Sequence, residues 1–193
     1  SIDKYLYNLP EKNEISFDNF IYLSQIVQAY GIEKAIESHR YKKPYCMGTL
    51  FWQLNDCWPC ASWSCIDYYG NKKALYYSSK EKFKDLIIVP KQLKDTLNIY
   101  LVSDKSTDLK GNLEINILDF YGNVLRKDVV KDVVATSNSS VNSCRYILRS
   151  DFLSKQDSIF VNIKYKYDIV SKENSNLDSI SENYILVYPK ELS

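Results

Sequence analysis

Seven short runs of β-forming residues follow one another between residues 87 and 189, and they constrain the fold more than any other feature. Most of them alternate apolar with polar side chains, which is the pattern of strands with one buried face. Turn-rich stretches separate them: DLKG (108–111), DFYGN (119–123), TSNSS (136–140) and SKENSNLDS (171–179). Seven alternating strands in about 105 residues are typical of an immunoglobulin-like antiparallel sandwich.

The front of the chain has a different character. Apolar residues recur at three- and four-residue steps between residues 17 and 40, which predicts a long amphipathic helix with Ser16 as its cap. Residues 46–54, CMGTLFWQL, form a continuous apolar run, as expected of a strand buried on both faces in a parallel sheet. Residues 71–86 then predict a second helix, capped by Asn71.

This order of elements indicates that the front of the chain is part of a larger α/β domain. A buried parallel strand needs parallel neighbours, and the first 85 residues contain one convincing strand. A complete α/β barrel takes about 250 residues. We therefore expect an α/β fragment over residues 1–84, an all-β sandwich over residues 85–193, and a chain that is a piece of a longer protein.

The composition argues against several classes of partner. The formal net charge is +1, so the sequence offers no basic surface for nucleic acid. No apolar run approaches the roughly 20 residues that span a bilayer. Five cysteines form an odd set, four of them crowded between residues 46 and 65, and we expect mostly free thiols that act as small buried hydrophobes. Nothing in the sequence calls for a cofactor or a metal ion.

Residues 48–70, GTLFWQLNDCWPCASWSCIDYYG, hold all three tryptophans of the chain. They follow the predicted buried strand, and ligands of α/β folds bind at the carboxyl ends of such strands. Flat aromatic faces stack on sugar rings, while asparagine and aspartate side chains suit sugar hydroxyls. Trp52, Asn55 and Asp56 are therefore candidates for a ligand-facing role, and Trp58 or Trp63 could instead fill the core beneath the loop.

Other chemistries in this segment have weaker support. Cys57 and Cys60 form a C-x-x-C pair, but the sheet of a thioredoxin-like domain is absent, and a zinc site would need a second pair beyond Cys46 and Cys65. Asp56 and Asp67 could in principle form an acid/base pair, although the sequence shows no partner that would shift either pKa. His39 is the single histidine, so no Ser-His-Asp triad is available.

The same segment closely resembles a known family. MGTLFWQLNDCWPCASWSCIDYYGNKKALYY resembles the last strand, loop and helix of the catalytic TIM barrel in β-mannosidases of glycoside hydrolase family 2. The helix before it is similar to the preceding barrel helix, and IYLVSDKSTDLKGNLEINILDFYGNVL is similar to the immunoglobulin-like domain that follows the barrel. The resemblance covers nearly the whole chain. Cys60 and Cys65 depart from it.

The resemblance implies an exo-glycosidase that removes terminal β-mannose with retention of the anomeric configuration, using two glutamates about 5 Å apart. Neither glutamate lies in this chain, because its one Asn-Glu pair, Asn13-Glu14, precedes the first helix. The substrate-binding residues that carry over are Trp52, Asn55, Asp56 and Trp58. The fragment alone should be inactive, and its partners would be a mannoside or related glycan and the rest of the parent enzyme.

Two other functions stay open at this point. The chain could be a non-catalytic carbohydrate-binding or domain-packing sandwich with a helical extension, or part of a family 2 exo-glycosidase that acts on another sugar. The resemblance favours a periplasmic, extracellular or lysosomal parent protein. The upstream reading frame would separate these hypotheses, through an Asn-Glu pair and a second glutamate at strand ends.

Overall fold

The computed structural model describes residues 15–170 and 175–187, and the chain divides into two compact units, Ser1–Lys84 and Asp85–Ser193. In the described residues, the first unit has two helices, and the second is a β-sandwich with one short helix. No helix of the described residues combines the length and the apolar character needed to cross a bilayer.

Helix α1 spans Phe17–Arg40, as predicted. Ser16 caps it, because its hydroxyl accepts a hydrogen bond from the backbone N–H of Asn19 at 3.3 Å. The apolar stripe is buried unevenly. Ile36 is 1% exposed, whereas several apolar side chains of the first turns are open to solvent: Phe17, Phe20, Ile21, Tyr22 and Ile26.

Helix α2 spans Ala74–Lys82 and begins later than predicted. Lys73 occupies the position before its first residue. The prediction that Asn71 caps this helix is wrong, because the Asn71 amide donates instead to the carboxylate of Asp67 at 2.8 Å. Ala29, Cys65 and Leu75 form the small buried cluster of this unit.

The predicted buried strand at residues 46–54 is also wrong. The structure assigns no strand there, and most apolar side chains of the run lie open, with Leu50 99% and Trp52 73% exposed, whereas Phe51 packs partly buried against the small cluster of this unit. A strand is stabilised by hydrogen bonds to neighbouring strands, and the described residues of this unit supply none. The chain makes isolated bridges instead, from Ile66 to Asn55 and to Lys72.

The described part of the second unit contains seven strands, which confirms the prediction of an antiparallel sandwich. One sheet has the order β1-β2-β5 and the other the order β4-β3-β6-β7, and every described pairing is antiparallel. The strands are β1 Leu86–Leu93, β2 Thr96–Ser103, β3 Leu109–Asp119, β4 Val124–Ala135, β5 Ser139–Ile147, β6 Ile159–Val170 and β7 Ser175–Ile185. A short helix, α3, spans Ser150–Leu153.

The core of the sandwich is built from alternate residues of both sheets. Leu97, Ile99 and Leu101 of β2 are fully buried together with side chains of the facing sheet, including Leu113, Ile115, Ile117, Val161 and Ile163. Tyr165 is also fully buried, and its hydroxyl donates to the backbone carbonyl oxygens of Leu109 and Val133 at 2.7 and 3.0 Å. The buried hydroxyl of Tyr165 is therefore satisfied.

For two of the predicted turns, most of the residues lie in strands. DLKG at 108–111 enters β3 at Leu109, where Gly111 pairs with Tyr167. A Cβ at Gly111 would lie 2.0 Å from the backbone oxygen of Lys166, so this glycine permits close approach of two strands rather than a turn. Part of SKENSNLDS lies in β7, and residues 171–174 of it lie outside the described residues.

The predicted hairpin turn at residues 119–123 is confirmed, and a near copy occurs in the first unit. Asp119 of DFYGN accepts backbone N–H bonds from Tyr121 and Asn123 at 3.0 and 2.8 Å, and Gly122 has φ of 89°. In DYYGN at 67–71, the corresponding bonds to the aspartate measure 2.9 and 2.8 Å, and the glycine has φ of 86°. The turn at 119–123 connects strands β3 and β4, whereas the turn at 67–71 lies in an irregular loop.

We expect the sandwich to resist hydrogen exchange better than the first unit. Among the described residues, its hydrophobic cluster holds eighteen buried side chains, against three in the first unit. Amides in well-packed sheets open with the global free energy of unfolding, whereas thinly packed segments open locally. Amides of β2, β3 and β6 should exchange slowest. Slower exchange in α1 and α2 than in these strands would contradict the prediction.

Candidate functional site

The three tryptophans of the chain line one open cavity of about 620 Å³ in the first unit. Their exposed fractions are 73% for Trp52, 67% for Trp58 and 71% for Trp63. The other lining residues are Gln53, Cys57, Cys60, Ala61 and Ser62. The Trp52–Gln53 peptide bond is cis. The structure thus presents three indoles at one concave surface, which suits a flat, partly apolar ligand.

Trp63, like Trp58, does not fill a core, so the alternative that either residue packs beneath the loop is wrong in this chain. Trp63 is tied to helix α1 instead. Its side chain is open, and its backbone is held by helix α1, because the Gln28 amide donates to the Trp63 carbonyl oxygen at 2.8 Å. The Gln25 carbonyl oxygen accepts a hydrogen bond from the backbone N–H of Ala74 at 3.2 Å. Helix α1 therefore holds both the loop and the start of α2.

Asp56 is buried behind the cavity, where only 4% of it is exposed. Its Oδ1 accepts hydrogen bonds from Ser62 Oγ at 2.6 Å and from Gln53 Nε2 at 3.2 Å, and its Oδ2 accepts one from Ser64 Oγ at 2.7 Å. Lys73 Nζ lies 3.7 Å from Oδ2. The hydrogen bonds from Ser62 and Ser64 lower the pKa of Asp56, so the side chain is an anion at neutral pH.

Asn55 lies beside Asp56 but has a different environment. Its side chain is exposed, and its amide donates to the backbone oxygen of Asp56 at 3.3 Å. The structure thus leaves Trp52, Asn55 and Trp58 exposed and buries Asp56 between them in sequence. Of the four predicted substrate-binding residues, Asp56 alone has its side-chain oxygens committed to contacts within the protein.

The second aspartate of the segment, Asp67, holds the DYYGN turn. Its hydrogen bonds from the Asn71 side chain, and from the backbone of Asn71 and Tyr69, lower its pKa. A general acid needs a raised pKa to carry a proton at neutral pH. The hydrogen bonds to Asp56 and Asp67 lower both pKa values, so they do not favour a proton-donating role for either residue.

The five cysteines are free thiols, as predicted. The expectation that they are small buried hydrophobes is wrong for Cys57 and Cys60, which are exposed and line the cavity. It holds for Cys65, which is 1% exposed and whose pKa is raised by burial. Within the described residues, no cysteine belongs to a group of three or more side chains that could share one metal ion.

His39 lies away from these contacts. Its side chain is exposed at the end of α1, and its Nδ1 lies 2.7 Å from the hydroxyl oxygen of Thr49.

Several residues that organise the site were not predicted from the sequence. Ser62 and Ser64 flank Trp63 at alternate positions, a spacing that can aim two hydroxyls at one acceptor. Lys73 and the two glutamines of α1 offer no comparable signal, since they lie 9 to 49 residues from the groups they contact. Their roles depend on how the loop packs against the helices.

Comparison with known proteins places these features in a family context. Residues 95–177 match the model of the Mannosidase Ig/CBM-like domain family. The β-mannosidase of Capra hircus is 36% identical over 108 residues, a match that covers 52% of this chain and 12% of the goat protein. The chain thus spans about an eighth of the length of that relative.

Solved structures extend the similarity to nearly the whole chain. The β-D-mannosidase of Dictyoglomus thermophilum superposes with a TM-score of 0.80 and 28% identity, covering 99% of this chain and 22% of that one. The exo-chitosanase of Amycolatopsis orientalis has a TM-score of 0.61 at 15% identity, covering 93% and 20% of the two chains, which shows a shared fold. The predicted resemblance to β-mannosidases is confirmed.

Proposed function

We propose that this chain, a homologue of the β-mannosidase glycoside hydrolases, is the C-terminal part of a retaining exo-glycosidase that removes terminal β-D-mannose from glycans. In this proposal, residues 1–84 are the last helix-strand-loop-helix of a (β/α)8 catalytic barrel. Residues 85–193 are the immunoglobulin-like domain that follows it. The parent enzyme supplies the remaining barrel strands and both catalytic glutamates.

The observation that carries the proposal is the structural match to the Dictyoglomus β-D-mannosidase. It extends over 99% of this chain at 28% identity, and it includes the cavity-bearing unit as well as the sandwich. A match confined to the sandwich would favour a separate binding module. The inclusion of the first unit favours a shared catalytic architecture.

The surface of the first unit gives independent support. Large apolar side chains are exposed on α1 and on the predicted strand, among them Phe17 at 74%, Tyr22 at 64%, Met47 at 61% and Leu50 at 99%. Soluble proteins rarely leave many such side chains open unless another surface covers them. A barrel whose sheet continues beside residues 46–54 would cover this surface and would provide the missing strand neighbours.

The proposal assigns roles within the site. Trp52 and Trp58 offer flat faces that can stack on a pyranose ring, and the exposed Asn55 amide can hydrogen-bond sugar hydroxyls. Asp56 supports the loop from behind and keeps its carboxylate away from the cavity. In retaining hydrolysis, one carboxyl protonates the leaving oxygen and the other attacks the sugar, and this chain supplies the wall that orients the ring.

The test is an assay of the complete protein encoded by the full reading frame. Aryl β-mannoside, β-glucoside, β-galactoside and β-glucosaminide are compared at equal concentration. The proposal predicts the highest kcat/KM for the β-mannoside and loss of activity when either strand-end glutamate is replaced by glutamine. A higher kcat/KM for another sugar would replace β-mannose by that sugar as the proposed substrate. Absence of hydrolysis of every substrate would refute the proposed glycosidase activity.

The isolated chain should not hydrolyse aryl β-mannosides. Without the two glutamates it has neither a proton donor for the leaving group nor a nucleophile, and the low pKa values of Asp56 and Asp67 do not replace them. The measurement is product release by the purified chain over many hours. Turnover that disappears in Asp56→Asn would contradict this expectation and would identify an aspartate-based site.

A further inference from the structure

The polar contacts of Asp56 form a closed network behind the aromatic cavity. Ser62 and Ser64 each donate a hydroxyl hydrogen bond to a different carboxylate oxygen, at 2.6 and 2.7 Å. Lys73 Nζ donates to Ser64 Oγ at 2.9 Å and to the backbone oxygen of Ser62 at 3.4 Å. The backbone N–H of Ser64 donates to Ser62 Oγ at 3.1 Å.

This network joins parts of the chain that are distant in sequence. Asp56 precedes the stretch that carries Trp58 and Trp63, the two serines flank Trp63, and Lys73 is the residue before helix α2. The contacts therefore close the loop on itself and attach it to the helix. The Asp56 side chain is 1% exposed and the Lys73 side chain 16%, so both charged groups are largely shielded from solvent.

We infer that Asp56 and Lys73 are a positioning pair that holds Trp58 and Trp63 in the cavity wall, and that Asp56 does not itself contact the ligand. A buried carboxylate whose two oxygens are already hydrogen-bonded could reach a ligand only by breaking these contacts. Breaking one member of such a pair leaves the other charge buried without its partner. The network thus fixes the loop and removes Asp56 from the ligand surface.

The tryptophans provide a direct readout of this arrangement. All three lie in the cavity wall and the sandwich has none, so indole N–H signals in proton–nitrogen correlation spectra of the 193-residue chain report on the loop alone. Asp56→Asn and Lys73→Met should displace or broaden the Trp58 and Trp63 signals. Lys73→Arg, which keeps the charge, should restore them. Amide signals of the sandwich should stay unchanged in every variant.

Lys72→Met is the matched control, because the Lys72 ammonium lies 4.8 Å from the centre of the Tyr76 ring and takes no part in the network. Its indole signals should match those of the unmodified chain. Wild-type signals in Lys73→Met, or equal displacement in Lys72→Met and Lys73→Met, would overturn the inference. If Asp56→Asn unfolds the first unit, the three lysine variants still decide the question.

The consequence for catalysis rests on the proposed function. In the complete enzyme, Lys73→Met should lower kcat/KM for the β-mannoside, and Lys73→Arg should recover most of it. The indole experiment uses no substrate. A complete protein without glycosidase activity would therefore refute the proposed function and leave the positioning pair standing, whereas unchanged indole signals would refute the pair alone.

Discussion

Gly111→Ala is expected to destabilise the sandwich by about 3 kcal/mol or more, because overpacking typically costs about 1–3 kcal/mol and the obstacle here is main chain. The added Cβ would lie 2.0 Å from the carbonyl oxygen of Lys166 and 2.8 Å from the Cα of Tyr167. A side chain could rotate away, but these atoms belong to the paired strand β6. The central pair of the four-stranded sheet must separate or change register.

The measurement is thermal and denaturant unfolding of the purified chain, followed through a signal of the sandwich. For a domain of this size, the loss corresponds to a fall in Tm of roughly 10 °C or more. Lys110→Ala, at an exposed position of the same strand, should change the free energy of unfolding by about 0.5 kcal/mol or less. Equal stability of Gly111→Ala and Lys110→Ala would show that the two strands do not approach this closely.

Gly122→Ala provides an intermediate case. Space around Gly122 is open, but its φ of 89° is a left-handed conformation that costs an L-residue about 1–2 kcal/mol. The expected order of destabilisation is therefore Gly111→Ala, Gly122→Ala, Lys110→Ala. An inverted order would mean that backbone strain outweighs steric overlap in this sheet.

Trp52→Ala is expected to lower kcat/KM of the complete enzyme by about a hundredfold, because a misplacement of about 1 Å at the reacting ring can cost that much. The removed indole would otherwise lie against the sugar under the proposed function. In the isolated chain Trp52 is 73% exposed, so the same change should alter the free energy of unfolding of this chain by about 0.5 kcal/mol or less.

Trp63→Phe is the control for this prediction. It keeps an aromatic face in the cavity wall, and the Gln28 hydrogen bond to the Trp63 backbone does not depend on the side chain. We expect little change in its kcat/KM when it is assayed well below the melting transition. A loss as large as that of Trp52→Ala, or full activity of Trp52→Ala, would mean that the ligand lies elsewhere along the cavity.

Local signals in the sequence predicted the elements that form without distant help. Helix α1 follows from its apolar period and from Ser16, and the sandwich strands follow from alternation and turn residues. Residues 46–54 failed as a strand because the apolar run specifies burial, whereas a strand also requires paired neighbours. Gly111 was assigned to a turn because its true constraint, the Lys166 backbone, lies 55 positions along the chain.

The candidate site shows the same division. Trp52, Asn55 and Trp58 were predicted as substrate-binding candidates because they lie within seven residues of one another and carry distinctive chemistry. The burial of Asp56 was not foreseen, because it depends on Lys73 and on serines that fold back over the carboxylate. A packing role stayed open for Trp58 and Trp63, because aromatic content alone does not distinguish a buried side chain from one that lines a cavity.

The paired turns at 67–71 and 119–123 show how much five residues can determine by themselves. They share four of five residues and the same aspartate hydrogen bonds, yet one lies in an irregular loop and the other joins two strands. The five residues themselves therefore determine the conformation of each turn, and the surrounding structure contributes little to it. Loops this short close in well under a microsecond, so each turn can form in the unfolded chain before either unit has assembled. The two units would then each begin folding with a chain reversal already in place.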